Sequence, residues 1–350
     1  MQQSIRLSLS LTGAAALALA SMPQVSAEPA VVAQGSAEDL GVMSIRLKDV
    51  VKPQVGVQGQ TQAAGTPNEA GIGGFMPLVV GENSVFFADV LANANFADWG
   101  NSSSIINTKV AGTTISTSSR LGYRWLNGDR SWMFGVNGGY DTRPMATGDA
   151  DTGVAVSGQR TVFFQQVAFG LEAVNDDWSF NAYGLIPTGT TEYRLNSAYN
   201  GGALDTYGFD AGYSITPEWK LSVGYYYQNG DLNTADGSGV LGRLAYAINE
   251  GVTVGTNLSY DSAFKSRFSA DIKWRFNTAG ISQSEKQKKA WEKPTIKALT
   301  ESVRNRDVRV GDGRTGSSPG TCTGTYRGVK KVWRVTTSST GTGTCTLSGY

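Results

Sequence analysis

The sequence predicts an all-β fold: a transmembrane, antiparallel, up-and-down β-barrel of about twelve strands, followed by a short C-terminal linker helix and a tail. Three observations predict it. Apolar and polar residues alternate with period two in segment after segment between residues 55 and 276. Short turns and long polar loops alternate between those segments. Beyond the N-terminus, no apolar run approaches the ~18 residues of a helical span, so any membrane crossing must use strands.

Composition agrees. Among 350 residues there are 44 Gly and 10% aromatics against 40% hydrophobic residues, and the formal net charge is +1. Near-neutrality gives no pull toward nucleic acid. Histidine is absent, which excludes His-built zinc sites, Ser-His-Asp triads and His general bases. No catalytic residue, metal or cofactor is expected. Asp176-Asp177 falls in a turn as a solvated turn former. Gly71-Ile72-Gly73-Gly74 lacks the strand-then-helix context of a nucleotide loop.

Residues 1–27 read as an export signal: Arg6, an apolar stretch from Leu7 to Ala20, then the small-x-small site Val25-Ser26-Ala27 with cleavage after Ala27. The alternative is a membrane anchor, for which the stretch is short. Residues 28–54 then form a periplasmic N-terminal segment.

The barrel is assigned to residues 55–276. Its last strand is the clearest: Phe268, Ala270, Ile272, Trp274 and Phe276 oppose Arg267, Ser269, Asp271, Lys273 and Arg275. Earlier strands repeat the pattern. Val252, Val254, Leu258 and Tyr260 oppose Thr253, Gly255, Asn257 and Ser259, and Val240, Leu244 and Tyr246 oppose Leu241, Arg243 and Ala245. Leu221, Val223, Tyr225 and Tyr227 oppose Ser222, Gly224, Tyr226 and Gln228, and Tyr207, Phe209, Ala211 and Tyr213 oppose Gly208, Asp210 and Gly212. Trp178, Phe180 and Ala182 oppose Ser179, Asn181 and Tyr183, and Val167, Phe169 and Leu171 oppose Gln166, Gly170 and Glu172. Trp132, Phe134, Val136 and Tyr140 oppose Met133, Gly135, Asn137 and Asp141, and Leu121, Tyr123 and Trp125 oppose Arg120, Gly122 and Arg124. Phe86, Ala88 and Val90 mark a weaker strand, and Val55–Thr61 and Ile72–Val80 complete the twelve. The expected lumen lining is Arg120, Arg124, Asp141, Glu172, Asp210, Arg243, Arg267, Asp271, Lys273 and Arg275.

Short turns are expected at Asn127-Gly128-Asp129, Asn175-Asp176-Asp177, Thr216-Pro217-Glu218 and Asn249-Glu250-Gly251. Long loops are expected over 97–117, 142–161, 187–205 and 229–239. Trp125, Trp132, Tyr140, Trp178, Trp219, Tyr260 and Trp274 fall near strand ends, where an interfacial aromatic girdle belongs. An even strand number keeps both barrel ends on the periplasmic side. Phe276, closing the last strand, resembles the terminal signal read by the outer-membrane assembly machinery.

Several of these segments together resemble a family. Leu121-Gly122-Tyr123-Arg124-Trp125, then Trp132-Met133-Phe134-Gly135-Val136-Asn137 and Tyr140-Asp141, resemble the β-domain of inverse autotransporters of the intimin/invasin type. So do Phe169-Gly170-Leu171-Glu172-Ala173, Asn181-Ala182-Tyr183-Gly184, Tyr207-Gly208-Phe209-Asp210 and Gly224-Tyr225-Tyr226-Tyr227 with Gly230-Asp231. The resemblance implies a twelve-stranded barrel whose linker turns back through the lumen and presents a C-terminal passenger outside. Residues 277–310 would be that linker, with a short helix from Ala290 to Val303 interrupted at Pro294 and an extended run from Arg304 to Val310. Its arginines are expected to pair with luminal Asp141, Glu172, Asp210 and Asp271.

Two features depart from the family. About 40 residues follow Val310, where an immunoglobulin-like domain needs about 100. No peptidoglycan-binding module is evident between Glu28 and Pro53. The tail, 311–350, is rich in Gly, Ser and Thr, with Tyr326, Trp333 and one expected disulfide, Cys322–Cys345. A bridge of this kind stabilises by roughly 3 kcal/mol.

The expectation is thus an outer-membrane protein of a Gram-negative type of envelope. Its partners would be outer-membrane lipid, the assembly machinery and periplasmic chaperones, with no nucleic acid. The extracellular partner is not readable. The competing functions are a porin-like channel with weak anion preference and a soluble secreted β-protein.

Overall fold

The computed structural model describes residues 45–100, 102–249, 251–277, 293–315, 320–326 and 329–335. The Ala27 cleavage site and Cys345 lie outside the described residues.

The strands are β1 Gln54–Gln60, β2 Asn68–Val80, β3 Ser84–Phe96, β4 Thr108–Ala111, β5 Thr114–Leu126 and β6 Met133–Ala150. They continue with β7 Thr161–Val174, β8 Trp178–Pro187, β9 Glu192–Arg194, β10 Tyr199–Ala203, β11 Asp205–Ser214 and β12 Trp219–Asn229. The last are β13 Gly237–Ala247, β14 Val252–Asp261, β15 Lys265–Asn277, β16 Val310–Arg314, β17 Gly320–Tyr326 and β18 Val329–Val335. Among the described residues two α-helices of one turn, α1 Leu47–Val50 and α2 Pro294–Lys297, accompany the strands.

Twelve strands form a closed antiparallel ring: β1, β2, β3, β5, β6, β7, β8, β11, β12, β13, β14, β15 and back to β1. The first and last strands seal it in register, Val55 against Phe276 and Val57 against Trp274. Closure removes the unpaired edges that an open sheet would carry. β4 adds to β6 beyond the ring, β9, β10 and β16 form a separate three-stranded sheet, and β17–β18 is a hairpin.

Burial is inverted relative to a water-soluble protein. Large apolar side chains face outward: Phe268 is 67% exposed, Val223 60%, Leu258 59% and Phe169 58%. Charged ones lie inside: Arg120 is 2% exposed, Arg124 1% and Asp141 1%. Such a belt on every wall exceeds any apolar patch a soluble monomer tolerates. It is the lipid-facing surface of a transmembrane barrel.

One barrel end is made of tight turns with side-chain caps. Asn127 Oδ1 accepts the Trp132 N–H at 2.9 Å, and Asn249 Oδ1 accepts the Gly251 and Val252 N–H groups at 2.9 Å each. Asn175 Oδ1 accepts from Asp177 and Thr216 Oγ1 from Trp219. All four turns expected from the sequence are therefore Asx or hydroxyl turns.

The loop end differs from expectation. Much of the loop sequence is strand: β5 begins at Thr114, β6 runs to Ala150, and β4, β9 and β10 fall wholly inside predicted loops. Val110, Met145 and Tyr199 there are isolated among small or polar residues and buried rather than lipid-facing, so the sequence shows no sustained alternation. The expected helix from Ala290 to Val303 is also shorter. Among described residues it spans only Pro294–Lys297 plus a 3-10 turn, Ala298–Thr300.

Replacing Ile272, half exposed at mid-strand on the outer face, by Arg is expected to cost about 2–4 kcal/mol in a bilayer. Reversible denaturant unfolding from vesicles measures it. A cost below about 0.5 kcal/mol would show that this face does not meet lipid.

Candidate functional site

The lumen is the site, and residues 293–315 run through it from the turn end to the loop end. At the turn end, Thr295 Oγ1 donates to Asp176 Oδ1 at 2.7 Å in the β7–β8 turn. Above it, Ile296, Ala298, Leu299 and Val303 pack with Ile45, Leu47 and Val50 of the N-terminal segment against wall residues Phe75, Phe87, Leu126 and Met133. This apolar cluster fills the turn-end mouth.

The end of the 3-10 turn and the extended chain after it leave carbonyls with no helix or sheet partner, and a buried carbonyl without a donor is costly. Wall arginines supply the donors. Arg124 Nη1 donates to the carbonyls of Leu299 at 3.3 Å and Glu301 at 2.6 Å. Arg275 Nη1 reaches the Thr300 carbonyl at 2.8 Å, Arg120 Nη2 that of Asn305 at 3.4 Å, and Arg143 Nη1 that of Val308 at 2.7 Å.

Wall carboxylates hold two of these guanidinium groups in place, and a third wall pair lies nearby. Arg120 makes a bidentate pair with Asp141 at 2.6 and 2.7 Å. Arg124 pairs with Glu172 at 2.8 and 3.0 Å and lies over the Phe87 ring at 4.6 Å. Arg243 pairs with Asp271. Glycine makes room for the forks. Arg120, Arg124 and Arg275 stand opposite Gly139, Gly135 and Gly56 in the strand registers. A Cβ at Gly135 would lie 2.8 Å from Glu172 Oε2 and 3.0 Å from Arg124 Cγ.

Two of the linker's own arginines, Arg306 and Arg309, take partners other than the predicted ones. Arg306 pairs with Asp89 at 2.5 Å, and Asp89 also accepts the Val303 N–H at 3.0 Å. Arg309 lies 3.6 Å from Asp261 and 4.4 Å over the Tyr226 ring. Asp141, Glu172 and Asp271 are taken by wall arginines instead, and Asp210 accepts from Asn181 at 3.3 Å. Wall–wall pairing wins because those partners sit on strands one or two apart in a sheet already fixed in register. Linker residue Asp307 is held between Gln60, which donates to its carboxylate at 2.8 Å, and Gln166, which donates to its carbonyl at 3.4 Å.

Near the loop end a second apolar cluster forms from Ile105, Val110, Met145, Phe164, Leu195, Val308 and Val310. There β16 pairs with β10. Burial pushes the Asp312 carboxyl up to about 6, even though Thr108 and Asn107 donate to it. In the adjacent loop, Asp98 is also raised by burial, with the Ser104 and Val110 N–H groups pulling it back.

Other predicted positions fall as follows. Lys273 lies on the inward register of β15, while Arg267 sits at the loop-end rim, donating to the Phe264 carbonyl and to Ser102 Oγ. Trp125, Trp132, Trp178, Trp219 and Trp274 fall at the turn end, and stacked pairs such as Trp132–Phe134 and Trp178–Phe180 lie among them. Tyr260 is at the loop end. Tyr140 stands partway along β6, paired with Ser119 and Val167, rather than at a strand end. Asp89, Arg143, Gln166, Asp261 and Tyr226 also hold the linker, and nothing in their spacing along the chain marks them as site residues. Among the described residues, no group of three or more His, Cys, Asp or Glu could hold a metal, and no helix is long and apolar enough to cross a membrane.

No protein-family model matches the chain, and no curated protein matches it. A solved structure from work on in-meso crystallisation of membrane proteins is 12% identical, with 75% of this chain and 100% of that chain covered and a TM-score of 0.52. Outer membrane phospholipase A from Escherichia coli is 12% identical, covering 67% of this chain and 99% of that one, with a TM-score of 0.34. An outer membrane channel from Pseudomonas putida F1 is 11% identical, covering 64% and 95%, with a TM-score of 0.41. At such identities the likeness is one of fold alone. The closed ring and its apolar outer belt define the class: a twelve-stranded transmembrane β-barrel of the outer-membrane kind.

Replacing Asp141 by Ala leaves Arg120 charged and buried, and is expected to destabilise the barrel by about 3–5 kcal/mol. The double change Arg120→Leu with Asp141→Leu should cost clearly less than the two single changes added together. Urea unfolding in micelles, followed by heat-modifiable gel migration, measures both. Additive costs would mean that the pair is not coupled.

Proposed function

We propose that this chain is an outer-membrane surface-display barrel of the inverse-autotransporter type, which anchors itself in lipid and carries its own C-terminal tail to the cell surface. One observation carries the reading: residues 293–315 enter at the turn end, beside Asp176, and leave at the loop end, where Thr315 donates its N–H to the Ala198 carbonyl at 2.8 Å. In outer-membrane barrels short turns face the periplasm and long loops the outside. The tail beyond Thr315 therefore emerges outside. The reading places the protein in the outer membrane after export on residues 1–27, with lipid, the assembly machinery and periplasmic chaperones as partners. It assigns the chain no catalysis.

A porin-like channel is the second reading. The charged lumen favours it, but the linker opposes it. With the linker in place, two cavities beside it, near Arg306 and Asp307, measure about 30 and 20 Å³, room for one or two waters each.

Two measurements test the proposal. Antibody or protease added to intact cells should reach the 316–350 tail without lysis; protection until lysis would reject surface display. In planar bilayers the full chain should show no stable conductance, and deletion of residues 293–350 should open one. Steady conductance by the full chain would favour the channel.

A further inference from the structure

We propose that the loop end of the barrel is a strand-capture site, built to bind an extended peptide that carries a carboxylate between two glycines. It is filled in cis by Val310–Arg314. The proposal rests on the reading of the linker as the exported part of the chain, and it identifies what fixes the point at which that export stops.

The backbone of the captured strand is held on both sides. β16 pairs in register with β10, Val310 with Ala203 and Asp312 with Gly201. On its other edge the Val310 N–H donates to the Gly65 carbonyl at 3.1 Å, and the Asp312 N–H donates to that of Ile105 at 2.9 Å. This is strand addition onto loops, which recognises backbone rather than side chain.

Selectivity comes from the middle three residues. The Asp312 side chain, in a residue only 1% exposed, is met by a nest of donors. Its Oδ1 accepts from the Asn107 backbone N–H at 2.8 Å and from Asn107 Nδ2 at 3.0 Å, and its Oδ2 accepts from the Thr108 N–H at 2.7 Å. Consecutive N–H groups converging on one anion form a backbone nest. The residue just before them, Ile106, has φ 103°. A β-branched side chain in that region is strained, and such strain persists where the surroundings hold it for a purpose. Here the bend turns two N–H groups toward one carboxylate.

The flanking positions favour glycine, because any Cβ there would press on a neighbouring side chain. A Cβ on Gly313 would lie 2.5 Å from Thr234 Cγ2, and one on Gly311 would lie 3.0 Å from Ala235 Cβ. Between Lys293 and Arg309 the linker contains no glycine, so no other stretch of it presents a carboxylate between two glycines. The site therefore reads Gly311-Asp312-Gly313 and sets the register of everything below it, including Arg306 on Asp89 and Arg309 on Asp261.

Trypsin digestion of the full-length protein tests this. In the native chain the tail is removed at or beyond Arg314, while the Arg309–Val310 bond stays intact because it lies behind the captured strand. Gly313→Ala and Asp312→Asn should each expose that bond, with cleavage about tenfold faster as local opening grows. Thr234→Ser removes the clashing methyl, so Gly313→Ala combined with Thr234→Ser should recover the native rate. Heat-modifiable migration verifies that each barrel is folded. Native cleavage rates in both single variants, or no recovery in the double variant, would overturn the capture site. The digestion is run on protein in detergent and on intact cells. The native pattern in detergent with a tail protected in cells would sink the export reading and leave the capture site standing.

Discussion

Guanidinium groups that serve two partners at once hold this structure together. A barrel interior of twelve strands is too wide for the wall side chains to fill alone, and an extended segment placed inside it brings unsatisfied carbonyls with it. Arg120 and Arg124 resolve both problems: each locks onto a wall carboxylate with two hydrogen bonds and turns a remaining N–H to a linker carbonyl. Arginine suits this role because its fork has five donors in fixed geometry and stays charged when buried. Lysine could not do the same. Between Ala298 and Asp312 the linker carries three arginines and three carboxylates, so this stretch brings no net charge of its own into the lumen. The low local dielectric strengthens each bond and penalises the loss of any one.

The two mouths are closed by different means. At the turn end, apolar residues from α1 and the linker helix α2 meet the inward faces of β2, β3, β5 and β6. This explains why β3 carries Val85 and Phe87 on its inner side, against the usual polar-in pattern of a water-filled barrel. At the loop end, strand pairing and the Asp312 nest dominate. The linker is thus anchored by grease at one end, by backbone hydrogen bonds at the other, and by arginine between.

These differences also explain what the sequence could show. β12 and β15 were legible because Leu221, Val223 and Tyr225, or Phe268, Ile272 and Trp274, face lipid while the residues between them are mostly small, polar or charged and face inward. The four capped turns were legible because Asn and Thr at those positions have a local mechanism. β3 read weakly because its inner residues pack on the linker and erase the contrast. β4, β9 and β10 were invisible for the opposite reason, with no large apolar face on either side. Alternation assigns a residue to a face but not to a height. It placed Arg120, Arg124, Asp141 and Glu172 inside, yet not as pairs. Once the 127–132 turn fixes the β5–β6 register, Arg120 stands diagonal to Asp141, within reach of a cross-strand pair. Asp89 and Asp261 needed the path of the linker itself.

Hydrogen exchange of the linker backbone, measured by mass spectrometry on the native barrel in detergent micelles, tests the account most directly. The N–H groups of Val303, Val310 and Asp312 are bonded to Asp89, Gly65 and Ile105. They should exchange as slowly as those of the barrel wall, with protection that persists for minutes to hours. Complete exchange of residues 303–312 within seconds, while the wall stays protected, would contradict the threaded lumen.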